Sequence, residues 1–284
     1  MGSVFEFVLV ANDSVQAQQH FQRVTNEIER IENLISEWRP HTQISQVNHH
    51  AGIRPVKVDK EVFDLTQRAI TYSRMSDGAF DISIAALDQV WVFDGSMEQL
   101  PSDDAIRSSV QYVGYQDIVL DSASSTIFLR KQGMKIGFGS IGKGYAADKG
   151  RELLQSLGIK GGIVNASGDL SAWGTQPDKQ PWKVGVRNPF RSERMVKVLD
   201  VKYGSVATSG NNEKFVEIDG RRYSHIINPQ TGWPSIGLTS VTVWGPSAEF
   251  ANFLSTSIMV LGKKNGKKLL KKFPDYKIIL VKSK

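Results

Sequence analysis

The chain has 284 residues, 40% of them apolar and 23% charged, and it holds no cysteine. That length supports a sizeable core in one large or two modest domains, and the composition excludes wholesale disorder. The absence of cysteine excludes disulfide staples, thiolate metal sites and cysteine nucleophiles. No apolar run approaches the ~18 residues of a membrane-spanning helix. The net charge of +6 is local. Residues 263–284 carry nine lysines and one acid, Asp275, or +8, so the rest of the chain sums to −2. Lysine doublets at 263–264, 267–268 and 271–272 recur every four residues and share one helix face. No aromatic residues interleave with them, so a nucleic-acid groove is not expected.

In chain order, residues 3–10 alternate like a strand, and Phe21, Val24, Ile28, Ile31 and Ile35 predict a helix over 14–35. The segment 36–52, "SEWRPHTQISQVNHHAG", is polar and turn-rich and reads as a loop. A helix over 60–75 leads into a turn, "SDGAFDIS". A short helix fits 101–114, and strands at 117–121 and 126–130 flank the hairpin-like "DSASS". Residues 134–158 read as strand, glycine loop and helix, with Gly158 placed to terminate the helix. Further strands fit 162–166, 182–187, 196–202, 214–219 and 238–244. A helix over 247–261 ends at Gly262, and a last helix and strand close the chain. Strands separated by turns outnumber those separated by helices, which predicts an α+β fold with largely antiparallel sheets and packed helices.

Three segments carry chemistry. "GFGSIGKG" (137–144) satisfies G-x-G-x-x-G but lacks the acid expected about 20 residues further on. It nearly fits a P-loop but ends in Gly144, without the metal-binding hydroxyl. The loop is therefore either a tight strand-to-helix turn or an anion cradle in which backbone N–H groups and Lys143 face an anion. Thr208, Ser209 and Gly210 supply donors suited to phosphate oxygens, and His225, before the turn "NPQTG", suits a general base or a structural histidine. His20, His41, His49 and His50 lack ligand spacing and read as surface residues. Asn252 and Thr256 lie four apart on one helix face, either as a polar stripe or as hard-oxygen ligands for a cation such as magnesium.

Together and in order, "MGSVFEF", "SEWRPHTQISQVN", "DGAFDIS", "GSIGKGYAAD", "VNASGDL", "VATSGNNEKF", "YSHIINPQTGWP" and "SVTVW…ANFLSTSIMVLG" resemble the FAD:protein FMN transferases, the ApbE-like flavin transferases. The resemblance covers nearly the whole chain. It implies a single flavin-transferase domain over 1–284, built as two interleaved subdomains with the FAD cleft between them. It implies Mg2+-assisted transfer of FMN from FAD to a Thr or Ser hydroxyl of an acceptor protein, releasing AMP. Carried over residue by residue, Met1, Trp38, Ala79, Phe80, Asp81, Lys143 and Ile227 match FAD-site positions, and His225 matches the catalytic histidine. Ser140, through its backbone carbonyl, Asn252 and Thr256 match metal-binding positions.

Trp38 stands where the family usually has tyrosine, Asn252 where it has aspartate, and Gly137 where an aspartate commonly contacts FAD. Ser255 occupies a site where some members carry a further acid. The lost charge at residue 252 keeps two alternatives in view, an FAD pyrophosphatase yielding FMN and AMP, and a non-catalytic FAD-binding protein. Members are often exported and lipid-anchored through a cysteine. This chain opens without a basic leader and has no cysteine, which fits either a processed fragment or a cytoplasmic form.

Overall fold

In the computed structural model, which describes residues 2–211 and 214–283, strand β1 (Phe5–Leu9) is followed by helix α1 (Ser14–Ile35). Val24, Ile28, Ile31 and Ile35 form the buried stripe of α1, and Asp13 caps it by accepting from the Val15 N–H at 2.8 Å. The central sheet has six strands in the order β1, β5 (Gly162–Ala166), β6 (Asp169–Trp173), β9 (Gly204–Gly210), β12 (Leu238–Gly245) and β13 (Lys277–Lys282). Every pairing in it is antiparallel, as the sequence predicts.

Helices α5 (Gly142–Ser156) and α6 (Ala248–Leu270) cover one face of this sheet. The hairpin of β7 (Trp182–Asn188) and β8 (Arg191–Val201) covers the other, packing Trp182, Val184, Val186, Leu199 and Val201 on Leu170, Ala172 and Val206. A second layer joins α1, α2 (Gln43–His49), α3 (Lys60–Met75) and a three-stranded sheet of β2 (Val56–Lys57), β4 (Thr126–Leu129) and β3 (Ile118–Asp121). The short helix α4 (Asp103–Val110) and the hairpin of β10 (Phe215–Ile218) and β11 (Arg221–Ser224) enclose a satellite core around Trp91.

Two ionic networks tie the helices together. Arg68 grips Glu249 through Nε and Nη2 at 2.8 and 2.9 Å, and the Tyr72 hydroxyl donates to the same carboxylate at 2.8 Å, locking α3 to α6. Glu61 of α3 accepts from Arg30 of α1 at 2.7 Å and from the Tyr145 hydroxyl of α5 at 2.6 Å.

Three expectations change. The segment 36–52 contains helix α2, because Thr42 accepts from the Ser45 N–H at 3.1 Å as an N-cap and Ile44 and Val47 are buried one turn apart. Residues 134–138 form no strand. The Asn48 side-chain amide takes the place of a neighbouring strand, donating to the Ile136 carbonyl at 2.9 Å and accepting its N–H at 2.8 Å. Segments 169–173 and 204–210 are central strands that the sequence does not announce. Both are covered on two faces, so the alternation that marks a half-buried strand disappears. His20 and His50 are half-buried, and the Nδ1 atom of His50 lies 2.8 Å from the Gln46 carbonyl.

The predicted helix ends hold. Gly158 (φ +84°) terminates α5, with Ile159 N–H donating to Leu154 and Gly158 N–H to Gln155. Gly262 (φ +71°) interrupts α6, and the lysine doublets beyond it are exposed.

Candidate active site

The site grows from the place where β6, β9 and the first turns of α5 and α6 meet. In β9, Ser205, Ala207 and Ser209 face the helices, while Val206 and Thr208 face away. Ser209 Oγ lies 2.8 Å from Ser255 Oγ and 3.2 Å from Thr256 Oγ1 on α6. The N-cap position of α5 is Ile141, which has no side-chain acceptor. Asn252 supplies one from α6, its Oδ1 accepting from the buried Gly144 N–H at 3.1 Å. This approach requires glycine: a Cβ at residue 144 would sit 2.5 Å from the Ala248 carbonyl oxygen and 2.8 Å from Asn252 Oδ1.

Lys143 projects from the same turn, with Nζ 3.1 Å from Oδ2 of Asp169, a residue 1% exposed. The contact is ionic, without the alignment of a hydrogen bond. The other oxygen of Asp169 accepts from the Thr208 N–H at 3.2 Å. The structure thus brings Lys143, Ser209, Asn252, Thr256 and the backbone N–H of Thr208 into one patch around a buried aspartate, while the Thr208 hydroxyl turns to Thr242 on the other face of the sheet. Gly210 is buried at the end of the same strand, and Ser140 is half-buried in the turn before α5.

His225 follows β11. Its Nδ1 lies 2.9 Å from the Lys214 carbonyl and its backbone N–H donates to that carbonyl at 3.1 Å. Burial is the largest influence on the imidazole and pushes its pKa down. The charges of Lys143 and Lys214 push the same way, against the carbonyl contact. Lys143 is thus near enough for its charge to act on the imidazole. The "DGAFDIS" turn reaches this side too, with Gln230 Nε2 donating to the Asp77 carbonyl at 3.0 Å. Ile227 bridges to Pro234.

Other matched positions serve the fold through their side chains. Ala79 and Phe80 are buried, and the Phe80 ring meets Tyr72 and Phe253 edge-on. Asp81 caps a short 3-10 turn (Ile82–Leu87), accepting from Ser83 N–H and Oγ at 2.8 and 2.6 Å and from Tyr115 N–H at 2.8 Å. Burial raises the Asp81 pKa against those three donors. Trp38 is the opposite case, a ring left 74% exposed. Met1 lies outside the described residues.

Two residues escape the sequence reading. Asp169 sits within "VNASGDL", yet only the sheet places it under Lys143. Glu37 lies beside the glycine loop, its Oε1 2.6 Å from where a Cβ on Gly137 would be. Two surface cavities, of about 440 and 390 Å3, share Tyr72 along α3 and the end of α6, and none of the site residues above lines them.

Magnesium can be tested against these donors. Asn252, Thr256 and the Ser140 carbonyl offer oxygens of the hardness it prefers, and Asn252 Oδ1 keeps a second lone pair beyond its one bond to Gly144. Among the described residues no trio of His, Asp or Glu gathers as a metal site. By the chemistry of their oxygens, Asn252 and Thr256, one turn apart on α6, suit a hard cation.

The antiparallel α+β fold is that of the flavin transferases. The family model described as the ApbE family matches residues 1–280, and the chain belongs to that family. An FAD:protein FMN transferase of Klebsiella pneumoniae is 31% identical over 99% of this chain and 86% of its own length. One from Treponema pallidum is 30% identical over 89% of this chain and 74% of its own. The crystal structure of the ApbE protein of Thermotoga maritima superposes with a TM-score of 0.92 at 30% identity, covering 99% of this chain and 91% of that one. The apo flavinyl transferase ApbE of Pseudomonas stutzeri gives 0.88 at 29%, covering 100% and 89%.

Proposed function

We propose that this enzyme transfers FMN from FAD to a Thr or Ser hydroxyl of an acceptor protein and releases AMP. The observation that carries the reading is the position of Lys143, which pairs with Asp169 at 3.1 Å and whose charge also reaches His225. A lysine at a helix start, beside the Thr208 backbone N–H and the Ser209 hydroxyl, suits the oxygens of a diphosphate. We place the FAD site where the glycine loop meets the end of β9, a reading supported by the Lys143–Asp169 pair, the Thr208 N–H on Asp169 and the influence of the Lys143 charge on His225.

A carbonyl oxygen only accepts, so Nδ1 of His225 carries the proton and Nε2 keeps its lone pair. Burial and the two lysines hold the imidazole neutral at pH 7. His225 takes the proton of the acceptor hydroxyl as its oxygen bonds to the FMN phosphorus and the bond from that phosphorus to AMP breaks. Ser209, Lys143 and the Thr208 backbone N–H hold the diphosphate in line. Asn252, Thr256 and the Ser140 carbonyl would hold Mg2+, which when bound neutralises charge on the diphosphate and the leaving group.

The test is incubation with FAD, Mg2+ and a candidate acceptor, followed by in-gel flavin fluorescence and AMP release. Both signals are expected. FMN and AMP without acceptor would replace the reading with an FAD pyrophosphatase, and bound FAD with neither signal would replace it with a flavin-binding protein.

A further inference from the structure

Gly137 has no side chain, and the space it leaves is filled from another element. A Cβ there would lie 2.6 Å from Glu37 Oε1 and 2.9 Å from Glu37 Cδ, and one on Gly139 would lie 3.9 Å from the same Oε1. The Glu37 carboxyl therefore rests against both leading glycines of the loop. The Phe138 backbone favours the charged form of this carboxyl, and the Ser45 hydroxyl donates to the Glu37 backbone carbonyl at 3.2 Å. Burial raises the carboxyl's pKa, so its position is held against a desolvation cost.

The next residue is Trp38, whose ring, 74% exposed, contributes little to packing. An exposed flat ring one residue along the chain from a carboxyl seated on the loop supplies the two kinds of contact that recognise a planar heterocycle with polar hydrogens on its edge. We infer that Glu37 is a specificity-determining residue of the substrate site, its carboxyl accepting a hydrogen bond from an N–H or O–H donor on the flavin half of FAD while Trp38 stacks on the ring. The assignment rests on the transferase reading and adds to it a residue on the side of the loop remote from Lys143. It also gives the loop a division of labour: the glycines leave room for the carboxyl at one end, and Lys143 meets the phosphates at the other.

The experiment measures binding of FAD, FMN and AMP to the full chain by flavin fluorescence and calorimetry, with thermal unfolding alongside. Glu37→Ala is expected to weaken FAD and FMN about 10- to 100-fold and to leave AMP within about twofold, since a hydrogen bond to a charged group has that scale. Glu37→Gln, which keeps the shape and one acceptor oxygen, is expected to fall between Glu37→Ala and native. Gly137→Asp alone places its Cβ against Oε1 and is expected to weaken FAD as much as Glu37→Ala. The double variant Glu37→Ala/Gly137→Asp, which delivers a carboxyl from the loop itself, is expected to recover most of that loss. Native protein that binds no FAD overturns the transferase reading and this assignment together. FAD binding unchanged in Glu37→Ala, equal losses for FMN and AMP, or a double variant no better than its parents overturns this assignment alone.

Discussion

Nδ1 of His225 and the backbone carbonyl of Lys214 lie 2.9 Å apart, and that contact fixes which imidazole nitrogen is free to take a proton. The histidine directly follows β11 (Arg221–Ser224), whose partner strand β10 (Phe215–Ile218) begins right after Lys214, so the hairpin ladder sets the distance. Glycine or alanine at residue 225 would leave the ladder intact and remove the proposed base. His225→Ala is expected to lower flavin transfer about 10^2- to 10^4-fold with FAD binding retained. Single-turnover transfer and equilibrium binding separate the two effects.

The same histidine sets a pH dependence. A depressed imidazole pKa keeps the neutral base populated down to pH values below the ~6.5 of a free imidazole, and activity is lost only as pH falls through the folded value. The acid limb of kcat/KM should accordingly lie below pH ~6.5. Removing the positive charge of Lys143 by Lys143→Met should move that limb upward, because the lysine contributes to the depression. A limb at or above the free value, unmoved in Lys143→Met, would contradict the coupling.

Asn252 joins two helices, so its replacement has a structural signature distinct from any effect on metal. Asn252→Ala leaves the buried Gly144 N–H without its acceptor and should cost about 1–2 kcal/mol in thermal or denaturant unfolding. Asn252→Asp keeps an acceptor at the start of α5, where negative charge is favourable, and should fold as well as native. It should also bind Mg2+ more tightly in the presence of FAD, measured by titration calorimetry. EDTA is expected to stop transfer in the native enzyme and leave its FAD bound.

Gly144→Ala introduces a Cβ 2.5 Å from the Ala248 carbonyl oxygen, which is backbone and cannot swing away. The two helix starts must separate, at a cost of about 1–3 kcal/mol. Activity should fall along with stability, because Lys143 and Asn252 ride on those turns. Melting temperature and transfer rate measured on one preparation would check the pairing.

Trp38→Ala is the converse. The ring is 74% exposed, so stability should stay within about 0.5 kcal/mol of native. FAD affinity should fall about tenfold from the lost stacking. An unchanged affinity would remove Trp38 from the site.

Much of this was legible before any coordinates. The 3.6-residue spacing of Ile28, Ile31 and Ile35 gave α1 its length, and Gly158 and Gly262 marked helix ends because few other residues accept a positive φ. The catalytic and phosphate-binding candidates lay in order along the chain as short motifs rich in glycine, hydroxyls and amides. What pattern could not reveal were the strands β6 and β9, since burial on both faces erases alternation, and helix α2, whose Thr42 cap lies inside a polar stretch.

The sequence by itself determined the antiparallel α+β class, the family and the residue types available for chemistry, because these depend on local spacing and composition. Only the tertiary structure decided the partnerships: Asp169 under Lys143, Asn252 at the start of α5, and Glu37 in the space beside Gly137. Each joins residues more than 20 positions apart, and no local preference encodes such a meeting. It follows from how β6, α5 and α6 pack, and packing is settled by the whole core at once.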